Sequence, residues 1–443
     1  MENTKNKIRV ITKNFRAINN ADIVIDGITV VAGENGCGKS TLSKLLYYLY
    51  RTISNYDSLV SRKLDSELNS VYRFLDITLI EISRRGKNRY SRTELYNDLS
   101  HLRERTRYYK VDQNLLNEWV EFIERVELAV TLSSIPNDAF YKRLDYIAED
   151  IVIEESNSKS SNDKNPFSKI KGLINFHFQK AFGQLENRTT NLFKEGLRNA
   201  FHDTKLPQTF SVFELGSEIV SLNKNNLSIP YSIQNTVYID TPMTIGIDTF
   251  DSNHWDDLEN ALREPYKKNK NEFFSNLISK EIINGDVVLD DSILGMNDFV
   301  FKRPDGKTFN LLDCATGIKS FSIIQLLLKN GTINNKTLLI IDEPESHLHP
   351  QWIIEYARLI VLLNKHIGVS FFIASHNPDM VSALKIIAEK EKTLEKLNFY
   401  LAEKENKKSN LYNYKDLGTD IEPIFESFNI ALDRMDLYGS EDE

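Results

Sequence analysis

The feature that most constrains this chain is the glycine-rich segment at residues 33–41, whose sequence is GENGCGKST. It matches the pattern G-x-x-x-x-G-K-[ST], and it lies between an apolar run at 28–32 and leucines at helical spacing from Leu42 to Leu49. A glycine-rich turn from a strand into a helix presents backbone N–H groups to an anion. The segment therefore predicts a loop that binds the phosphates of a nucleotide.

The polar residues of this loop have distinct predicted roles. Lys39 would contact the β- and γ-phosphates, and the Ser40 hydroxyl would bind magnesium, so ATP and Mg2+ are the expected cofactors. Cys37 allows two interpretations, a redox-sensitive thiol or a tolerated small residue. The predicted phosphate-binding residues are Gly33, Asn35, Gly36, Gly38, Lys39, Ser40 and Thr41.

Two later segments end in residues that suit phosphate chemistry. The run TLLIIDE at 337–343 ends in Asp342 and Glu343, and the run FFIASH at 371–376 ends in His376. Buried parallel strands deliver the side chains at their carboxyl ends to a crevice where ligands bind. We therefore predict that Asp342 binds magnesium with Ser40. Glu343 would polarise the attacking water, and His376 would contact that water or the γ-phosphate.

Composition limits the class of protein. A hydrophobic content of 41% and a charged content of 27% are typical of a globular chain, and 443 residues suffice for two or three domains. No apolar run approaches the roughly 20 residues that span a bilayer, and the first residues, MENTKNK, are polar. We therefore expect no membrane partner and a cytoplasmic location. Cys37 and Cys314 form neither a metal-binding spacing nor a disulfide framework.

The pattern along the chain predicts an α/β protein with a mixed sheet and flanking helices, interrupted by a helical insertion. Three strands are expected over residues 7–32, with turns at Asn19-Asn20 and Asp26-Gly27. The predicted divisions are a first lobe with the phosphate loop at 1–53, a helical insertion at 54–206, a second lobe with the acids and His376 at 207–400, and a C-terminal extension with an acidic tail at 401–443.

The segments GENGCGKST, LLIIDEPESHLHP and FFIASHNP together resemble the ATP-binding-cassette heads of the structural-maintenance (SMC), Rad50, RecF and OLD group. The resemblance implies a P-loop ATPase head that is split by an inserted arm. It also implies a shared site, in which each ATP lies between the loop of one head and the signature segment of another. The matching signature is 312–320, and its helix would begin with Thr316 as the N-cap.

The resemblance also assigns residues at the expected interface between heads. Thr316, Gly317 and Lys319 would approach the nucleotide of the partner head, and His347 and His349 would lie in the interface loop. The signature departs from the family pattern, Leu-Ser-Gly-Gly-Gln, because isoleucine replaces its second glycine and lysine its glutamine. Gln234 is a candidate for the glutamine loop of these heads.

Prokaryotic DEPExHLHP-type ATPases of anti-phage defence systems, Septu-like and OLD-related, resemble this chain most. This implies a regulatory ATPase that forms a homodimer or higher homo-oligomer through its heads and controls a separately encoded nuclease or toxin. We expect no nuclease activity of its own, because no glutamate and Asp-x-Asp arrangement follows His376. The alternatives are a DNA-repair or genome-maintenance ATPase and a scaffold that binds ATP with little turnover.

A basic segment offers a candidate surface for nucleic acid. Residues 84–110 contain nine arginines and lysines against three acids, with four tyrosines among them. Such residues neutralise phosphates and stack on unpaired bases, so DNA or RNA is a possible partner of Arg103, Arg105 and Arg107. A solvated helix face and a docking patch for an acidic protein are the alternatives. The net charge of −8 argues against a basic surface over the whole protein.

Overall fold

A computed structural model describes residues 8–85, 89–132, 138–156, 165–240, 254–267, 271–290, 298–406 and 408–428. The chain forms two compact units. The first, here called the sheet unit, comprises residues 1–54 and 193–443, and the second, the helical unit, comprises residues 55–192. The predicted acidic tail, GSEDE, lies outside the described residues.

The strands belong to the sheet unit, as far as the described residues show. They are β1 (Ile8–Phe15), β2 (Ile18–Ile25), β3 (Ile28–Ala32), β4 (Thr209–Glu214), β5 (Ser217–Ser221), β6 (Asn235–Ile239), β7 (Asp286–Asp290), β8 (Asp298–Lys302), β9 (Thr308–Asn310), β10 (Thr337–Asp342), β11 (Ser370–Ser375), β12 (Leu397–Lys404) and β13 (Tyr412–Gly418).

Helices occur in both units. They are α1 (Lys39–Ser54), α2 (Tyr56–Glu67), α3 (Asn69–Arg85), α4 (Arg89–Tyr108), α5 (Gln113–Leu132), α6 (Asp138–Ser156), α7 (Pro166–Asn187), α8 (Asn191–Phe201), α9 (His254–Leu262), α10 (Glu272–Leu277), α11 (Thr316–Lys329), α12 (Pro350–Ile367), α13 (Pro378–Lys390) and α14 (Glu422–Phe428).

Ten strands form one mixed sheet in the order β5-β4-β1-β2-β13-β12-β3-β11-β10-β6. The five from β12 to β6 are parallel to one another, whereas β1 pairs antiparallel with both β2 and β4. Every residue of β3 and β10 is buried, which explains their continuous apolar sequences. Strands β7, β8 and β9 form a separate antiparallel sheet. The predicted α/β fold class, with a mixed sheet and flanking helices, is confirmed.

The three strands predicted over residues 7–32 are also confirmed, but one predicted turn is wrong. Asn20 lies inside the hairpin of β1 and β2, where it pairs with Lys13, so Asn19-Asn20 is not the turn. The chain reverses at Arg16-Ala17 instead, where Arg16 takes a left-handed conformation with φ of +53°. An Asn-Asn pair favours turns, but the pairing of the alternating apolar residues fixes the register of this hairpin.

Strands β12 and β13 lie between β2 and β3, next to the strand that leads into the phosphate loop. The boundary predicted at 400/401 falls inside β12, and residues 401–418 add strands near the middle of the sheet. At the other predicted boundary, Phe193 of α8 packs against Phe210 of β4 with their ring centroids 5.6 Å apart. Residues 193–206 therefore fold with the sheet unit, although the insertion was predicted to end at 206.

The helical unit has an aromatic core of its own. The Trp119 side chain is fully buried, and its indole N–H donates to the Thr106 hydroxyl over 3.0 Å. The Phe74 and Phe167 rings meet edge to face with their centroids 5.7 Å apart. Buried aromatic side chains contribute much of the hydrophobic stabilisation of such a core. In the described part of the chain, no helix is long and apolar enough to cross a membrane.

Helices α11 and α12 pack closely at one glycine of the predicted signature. A Cβ atom added at Gly317 would lie 2.1 Å from Cε3 of Trp352 and 3.2 Å from Cδ2 of Leu348. The Trp352 ring also meets Phe321 edge to face, with 5.8 Å between the centroids. Glycine at 317 therefore has a packing role, whatever its part in binding.

We predict that Gly317→Ala destabilises the sheet unit by about 1–3 kcal/mol, because the added methyl group overpacks the contact with Trp352. Gly196→Ala is the matched control, since a Cβ there meets nothing closer than Tyr48 at 3.9 Å. Alanine is favoured over glycine within a helix by about 1 kcal/mol, so this control should keep or raise the urea unfolding midpoint. Equal midpoints for the two variants would refute the packing role.

Candidate nucleotide-binding site

The loop between β3 and α1 has the conformation that its glycines allow. Gly36 and Gly38 have φ of +82° and +101°, which side-chain-bearing residues rarely adopt. A Cβ at Gly38 would also lie 2.9 Å from Cγ1 of Ile18. Lys39 is buried, and its ammonium donates to the carbonyl oxygens of Gly33 (2.8 Å) and Glu34 (3.0 Å). The lysine thus folds back over the loop that it follows.

Side chains of β12 and β13 contact the loop. The Tyr414 hydroxyl donates to the carbonyl oxygen of Cys37 over 3.0 Å. The Glu34 carboxylate is contacted by the Tyr412 hydroxyl at 3.3 Å and by the Lys404 ammonium at 3.2 Å. Burial raises the pKa of the Cys37 thiol, so the tolerated small residue is the better interpretation of this cysteine. The contribution of β13 was missed by the sequence analysis.

Asp342 ends β10 and is almost fully buried. Its carboxylate accepts hydrogen bonds from the Tyr238 hydroxyl over 2.8 Å and from the Ser43 hydroxyl, and it also interacts with the Ser40 hydroxyl. Burial raises the pKa of Asp342, because the charged form loses its hydration. The structure thus brings together Ser40 and Asp342, the two predicted magnesium ligands. A carboxylate and a hydroxyl are the oxygen ligands that this cation prefers.

Tyr238 and Ser43 were not predicted, but the sequence carries signals for both. Ser43 lies three residues after Ser40 on α1, and residues at this spacing share one helix face. Tyr238 lies near the carboxyl end of β6, a strand that runs parallel to β10. Ligands bind at the carboxyl ends of parallel strands, so the position of Tyr238 is a sequence signal for a site residue.

The two predicted catalytic residues are neighbours. Nδ1 of His376, which follows β11, lies 3.3 Å from Oε1 of Glu343, which follows β10, and both side chains are 41% exposed. Glu343 has a left-handed φ of +50°, and its N–H donates to the carbonyl oxygen of Ala374 over 2.7 Å. Strained backbone of this kind is frequent at functional sites. A carboxylate and an imidazole are therefore accessible together at the edge where the strands end.

The glutamine-loop candidate lies at the wrong end of its strand. The Gln234 N–H donates to the carbonyl oxygen of Lys336 over 2.9 Å, and both residues precede the parallel strands β6 and β10. Asp342 lies at the opposite end of β10, beside Asp240, which follows β6. Asp240 contacts Nε2 of His254 over 2.8 Å. Tyr238 and Asp240, at the carboxyl end of β6, therefore lie at the site, whereas Gln234 precedes the opposite end of the strand.

The predicted signature forms the start of α11, but one detail is wrong. Ala315 is the N-cap residue and Thr316 is the first helical residue, and no side chain caps the helix. Lys319 is buried, whereas Thr316 is partly exposed. Among the described residues, Thr316, Gly317 and Lys319 form no hydrogen bond or ion pair with the loop at 33–41.

The two histidines of the predicted interface loop are exposed. His347 has a left-handed φ of +62°. His349 is the N-cap of α12, and its Nδ1 accepts a hydrogen bond from the Gln351 N–H over 3.3 Å. In the described ranges, no group of three His, Cys, Asp or Glu residues could hold a metal ion. His349 thus has a local structural role.

The three arginines of the candidate nucleic-acid surface do not form one patch. Arg103 and Arg107 are four residues apart on α4, whereas Arg105 points away from them, because two residues span about 200° of a helix. Nε of Arg103 lies 3.9 Å from Oδ1 of Asp65, and Arg105 pairs with both oxygens of the Glu118 carboxylate. The Arg107 guanidinium lies over the Tyr108 ring, 5.4 Å from its centroid. Arg105 is thus paired inside the helical unit, whereas the Arg103 side chain stays 53% exposed.

A glycine-rich loop between a buried parallel strand and a helix, with acids at the end of a nearby strand, defines a P-loop nucleotide-binding protein. The chain belongs to the AAA ATPase domain family, which it matches over residues 7–381. It is therefore an ATPase-type protein, as the motifs predicted. Comparison with curated proteins found no match.

Several solved structures match most of the chain. An SMC head domain from Thermotoga maritima is 11% identical, with a TM-score of 0.36, and the match covers 93% of this chain and 99% of that one. The Smc head domain with an extended coiled coil bound to the C-terminal domain of ScpA, from Pyrococcus furiosus, is 10% identical, with a TM-score of 0.33 and coverages of 96% and 98%. The Smc head domain with a coiled coil and joint from Pyrococcus yayanosii is 10% identical, with a TM-score of 0.36 and coverages of 97% and 99%.

We predict that Asp342→Asn stabilises the metal-free protein at neutral pH while removing magnesium-dependent ATP turnover. A pKa that is raised by burial means that the folded state loses stability as the pH rises through that pKa, because ionisation is less costly in the unfolded chain. The amide carries no charge and avoids this cost. In EDTA, we expect the melting temperature of the variant to exceed that of wild type. With magnesium, we expect its ATP turnover to fall by about 100-fold or more.

Asp257→Asn is the control for this prediction. Asp257 also accepts a hydrogen bond from a tyrosine, Tyr47, but it pairs with the Arg51 guanidinium. Its replacement should lower the melting temperature in EDTA, because the half-buried arginine loses its partner. A melting temperature of Asp342→Asn below that of wild type in EDTA would contradict the prediction.

Proposed function

We propose that the protein is a magnesium-dependent ATPase whose hydrolytic residues are Glu343 and His376. The observation that carries this proposal is the 3.3 Å contact between Nδ1 of His376 and Oε1 of Glu343. The two residues follow β10 and β11, and β11 lies directly beside β3, the strand that leads into the phosphate loop. The parallel order β3-β11-β10 therefore supports a shared position for the loop, the acids and the histidine.

The residues of the loop would bind the triphosphate. The N–H groups of the loop and of the first turn of α1 would donate to phosphate oxygens, and the Lys39 ammonium would exchange the carbonyl oxygens of Gly33 and Glu34 for the β- and γ-phosphates. Ser40 and Asp342 would hold Mg2+, which supplies positive charge that neutralises the phosphates. The buried Asp342 gains a cationic partner in this arrangement, which offsets the cost of its burial.

Glu343 and His376 differ from Asp342 in exposure, which favours a different role. Both have side chains open enough for water to reach them. The Glu343 carboxylate would accept a hydrogen bond from the attacking water and align it with the γ-phosphate. The His376 ring would hydrogen-bond either that water or the γ-phosphate oxygen. The two side chains thus share the task of orienting the nucleophile.

We also propose that a second copy of the chain completes each site. The first N–H groups of α11 have no side-chain cap, and Thr316 at this end is partly exposed. Such a helix start binds an anion readily, and the buried Lys319 adds positive charge in the next turn. Since no hydrogen bond or ion pair in the part of the chain that the structure describes joins this helix start to the loop, the γ-phosphate of a partner's ATP is its proposed ligand. His347 and His349 would lie at that interface.

The biological role proposed here is control of a separately encoded effector, a nuclease or toxin, in a cytoplasmic anti-phage defence complex. The likeness of the DEPESHLHP segment to the ATPases of such systems supports it, together with an insertion that forms a compact helical unit. ATP binding would favour the closed dimer, and hydrolysis would release it. The effector carries the destructive chemistry in this proposal.

DNA maintenance is the second candidate function. A salt-dependent nucleic-acid surface needs several free cations on one face. Of the arginines proposed for it, Arg105 pairs with Glu118, whereas Arg103 lies 3.9 Å from Asp65 and stays 53% exposed. A scaffold with little turnover is the third candidate, and multiple turnovers by the purified protein would exclude it.

We predict that Glu343→Gln retains ATP binding but lowers kcat by about 100-fold or more, because glutamine cannot accept a proton from the attacking water. ATP affinity and turnover would be measured separately, by equilibrium binding and by phosphate release. Glu355→Gln is the control, since Glu355 pairs with Arg358 on α12, and it should turn over ATP at the wild-type rate. A wild-type rate for Glu343→Gln would reject the assigned role.

The same variant tests the regulatory role. When hydrolysis is blocked, the ATP-bound assembly should persist, so tagged Glu343→Gln protein from a native host should retain a stoichiometric nuclease or toxin that mass spectrometry identifies. Lys39→Ala, which loses the contact to the phosphates, should release it, and both variants should lose protection against phage. Full protection by both would argue against the defence role, whatever the ATPase rates.

We predict that two inactive variants restore activity when they are mixed. Lys39→Ala damages the loop, and Lys319→Glu damages the signature, so each homodimer should be inactive. In a mixed dimer one composite site carries both changes and the other carries neither. Random exchange of subunits makes about half of the dimers mixed, and each mixed dimer has one intact site of two. Up to about a quarter of the wild-type rate should therefore return. No recovery after exchange that mass photometry verifies would show that the site lies within one chain.

A further inference from the structure

Glu345 is a buried acid next to the hydrolytic pair, and the mechanism proposed above does not use it. Its side chain is only 3% exposed. One carboxylate oxygen, Oε1, accepts hydrogen bonds from the Ser375 hydroxyl over 2.8 Å and from the His376 N–H over 3.1 Å. The other, Oε2, is buried and has no hydrogen-bond partner among the described residues.

This arrangement is costly for an acid with a purely structural purpose. A buried carboxylate loses its hydration, and an oxygen without a donor does not recover it. Burial accordingly raises the pKa of Glu345. A buried polar atom that lacks a partner calls for an explanation, and such groups are common at functional sites.

The hydrogen bonds of Glu345 connect the turn after β10 with the turn after β11. In the same region the Glu343 N–H donates to the carbonyl oxygen of Ala374 over 2.7 Å. The Ser375 hydroxyl, which donates to Glu345, in turn accepts from the Asn377 N–H over 3.1 Å, and Asn377 caps α13. The backbone of His376 is thus held on both sides.

Two carboxylate oxygens lie near one edge of the His376 ring. Nδ1 is buried and lies 3.3 Å from Oε1 of Glu343 and 3.7 Å from Oε1 of Glu345, but among the described residues it forms a hydrogen bond with neither. Two acceptors on this side of the ring favour a proton on Nδ1, so that the neutral ring offers Nε2 as an acceptor. The opposite tautomer would place a lone pair against two carboxylates.

We propose that Glu345 is a positioning residue for His376, and that it fixes the backbone amide and the Nδ1 side of the ring so that Nε2 is free for the γ-phosphate or the attacking water. This inference rests on the proposed hydrolytic role of His376 and extends it to a residue that does not touch the reacting atoms. Orienting groups of this kind are known to fix the tautomer of a functional histidine.

Glu345→Gln is the first test, because glutamine keeps the size and one acceptor oxygen but removes the charge. We expect kcat to fall about 10-fold while ATP affinity changes by less than about 2-fold, the scale typical of lost outer-shell partners. Glu345→Ala, which also frees the Ser375 hydroxyl and the His376 N–H, should lower kcat further with a similarly small effect on affinity.

Glu214→Gln is a matched control for stability. Glu214 is also a buried carboxylate of the sheet unit, and it accepts from the N–H groups of Tyr231 and Ser232, both over 2.7 Å. This variant should show a loss of melting temperature comparable to that of Glu345→Gln, with wild-type kcat. If Glu345→Gln keeps wild-type kcat, or if Glu214→Gln loses the same activity, the positioning role is overturned.

A second readout does not depend on hydrolysis. In protein labelled with 15N-histidine, the resonances of His376 can be assigned by their loss in His376→Gln. We expect Glu345→Gln to shift them toward a mixture of tautomers, and unchanged resonances would overturn the inference. A wild-type protein that hydrolyses no ATP would instead remove the proposed function, and the NMR comparison would still decide whether Glu345 sets the state of the ring.

Discussion

The parallel pairing of β3, β11 and β10 is the constraint on which the rest of the site depends. These strands are adjacent, buried and aligned, so the residues that follow them emerge at one edge of the sheet. The loop, the acids and His376 come from distant parts of the sequence. Backbone hydrogen bonds between parallel strands bring them together, and the apolar side chains of the strands exclude water from the ladder beneath.

The loop depends on a second contact that comes from the end of the chain. Strand β13 lies beyond the residues that match the ATPase family, yet its Tyr414 donates to the carbonyl oxygen of Cys37, and Ala402 of β12 lies against Gly33. A glycine-rich loop has much conformational freedom in the unfolded chain, and side chains that fix it in advance reduce the entropy lost on binding. The C-terminal strands therefore belong to the nucleotide site as much as to the sheet.

Structural features could be predicted from the sequence where neighbouring residues carry the signal. Strands such as β3 and β10 are continuous apolar runs, and the loop at 33–41 is a local motif, so both are readable from neighbouring residues. Tyr414, Asp240 and Glu345 act through partners that are distant in sequence or lie across the sheet, so no local pattern marks them. The Asn19-Asn20 turn failed for a related reason, because strand register decides where the hairpin reverses.

Three acids follow one another within four residues, and burial separates their chemistry. The Asp342 carboxylate accepts hydrogen bonds from the hydroxyls of Tyr238 and Ser43, which suits a cation ligand with a fixed position. Glu343 is turned outward by its left-handed backbone and is open to water, which suits a group that handles the nucleophile. Glu345 turns back into the protein and binds the end of the next strand. Because Asp342, Glu343 and Glu345 lie on one short peptide, movement of any one of them would be coupled to movement of the others. A change at the nucleotide would therefore reach β11 through this peptide alone.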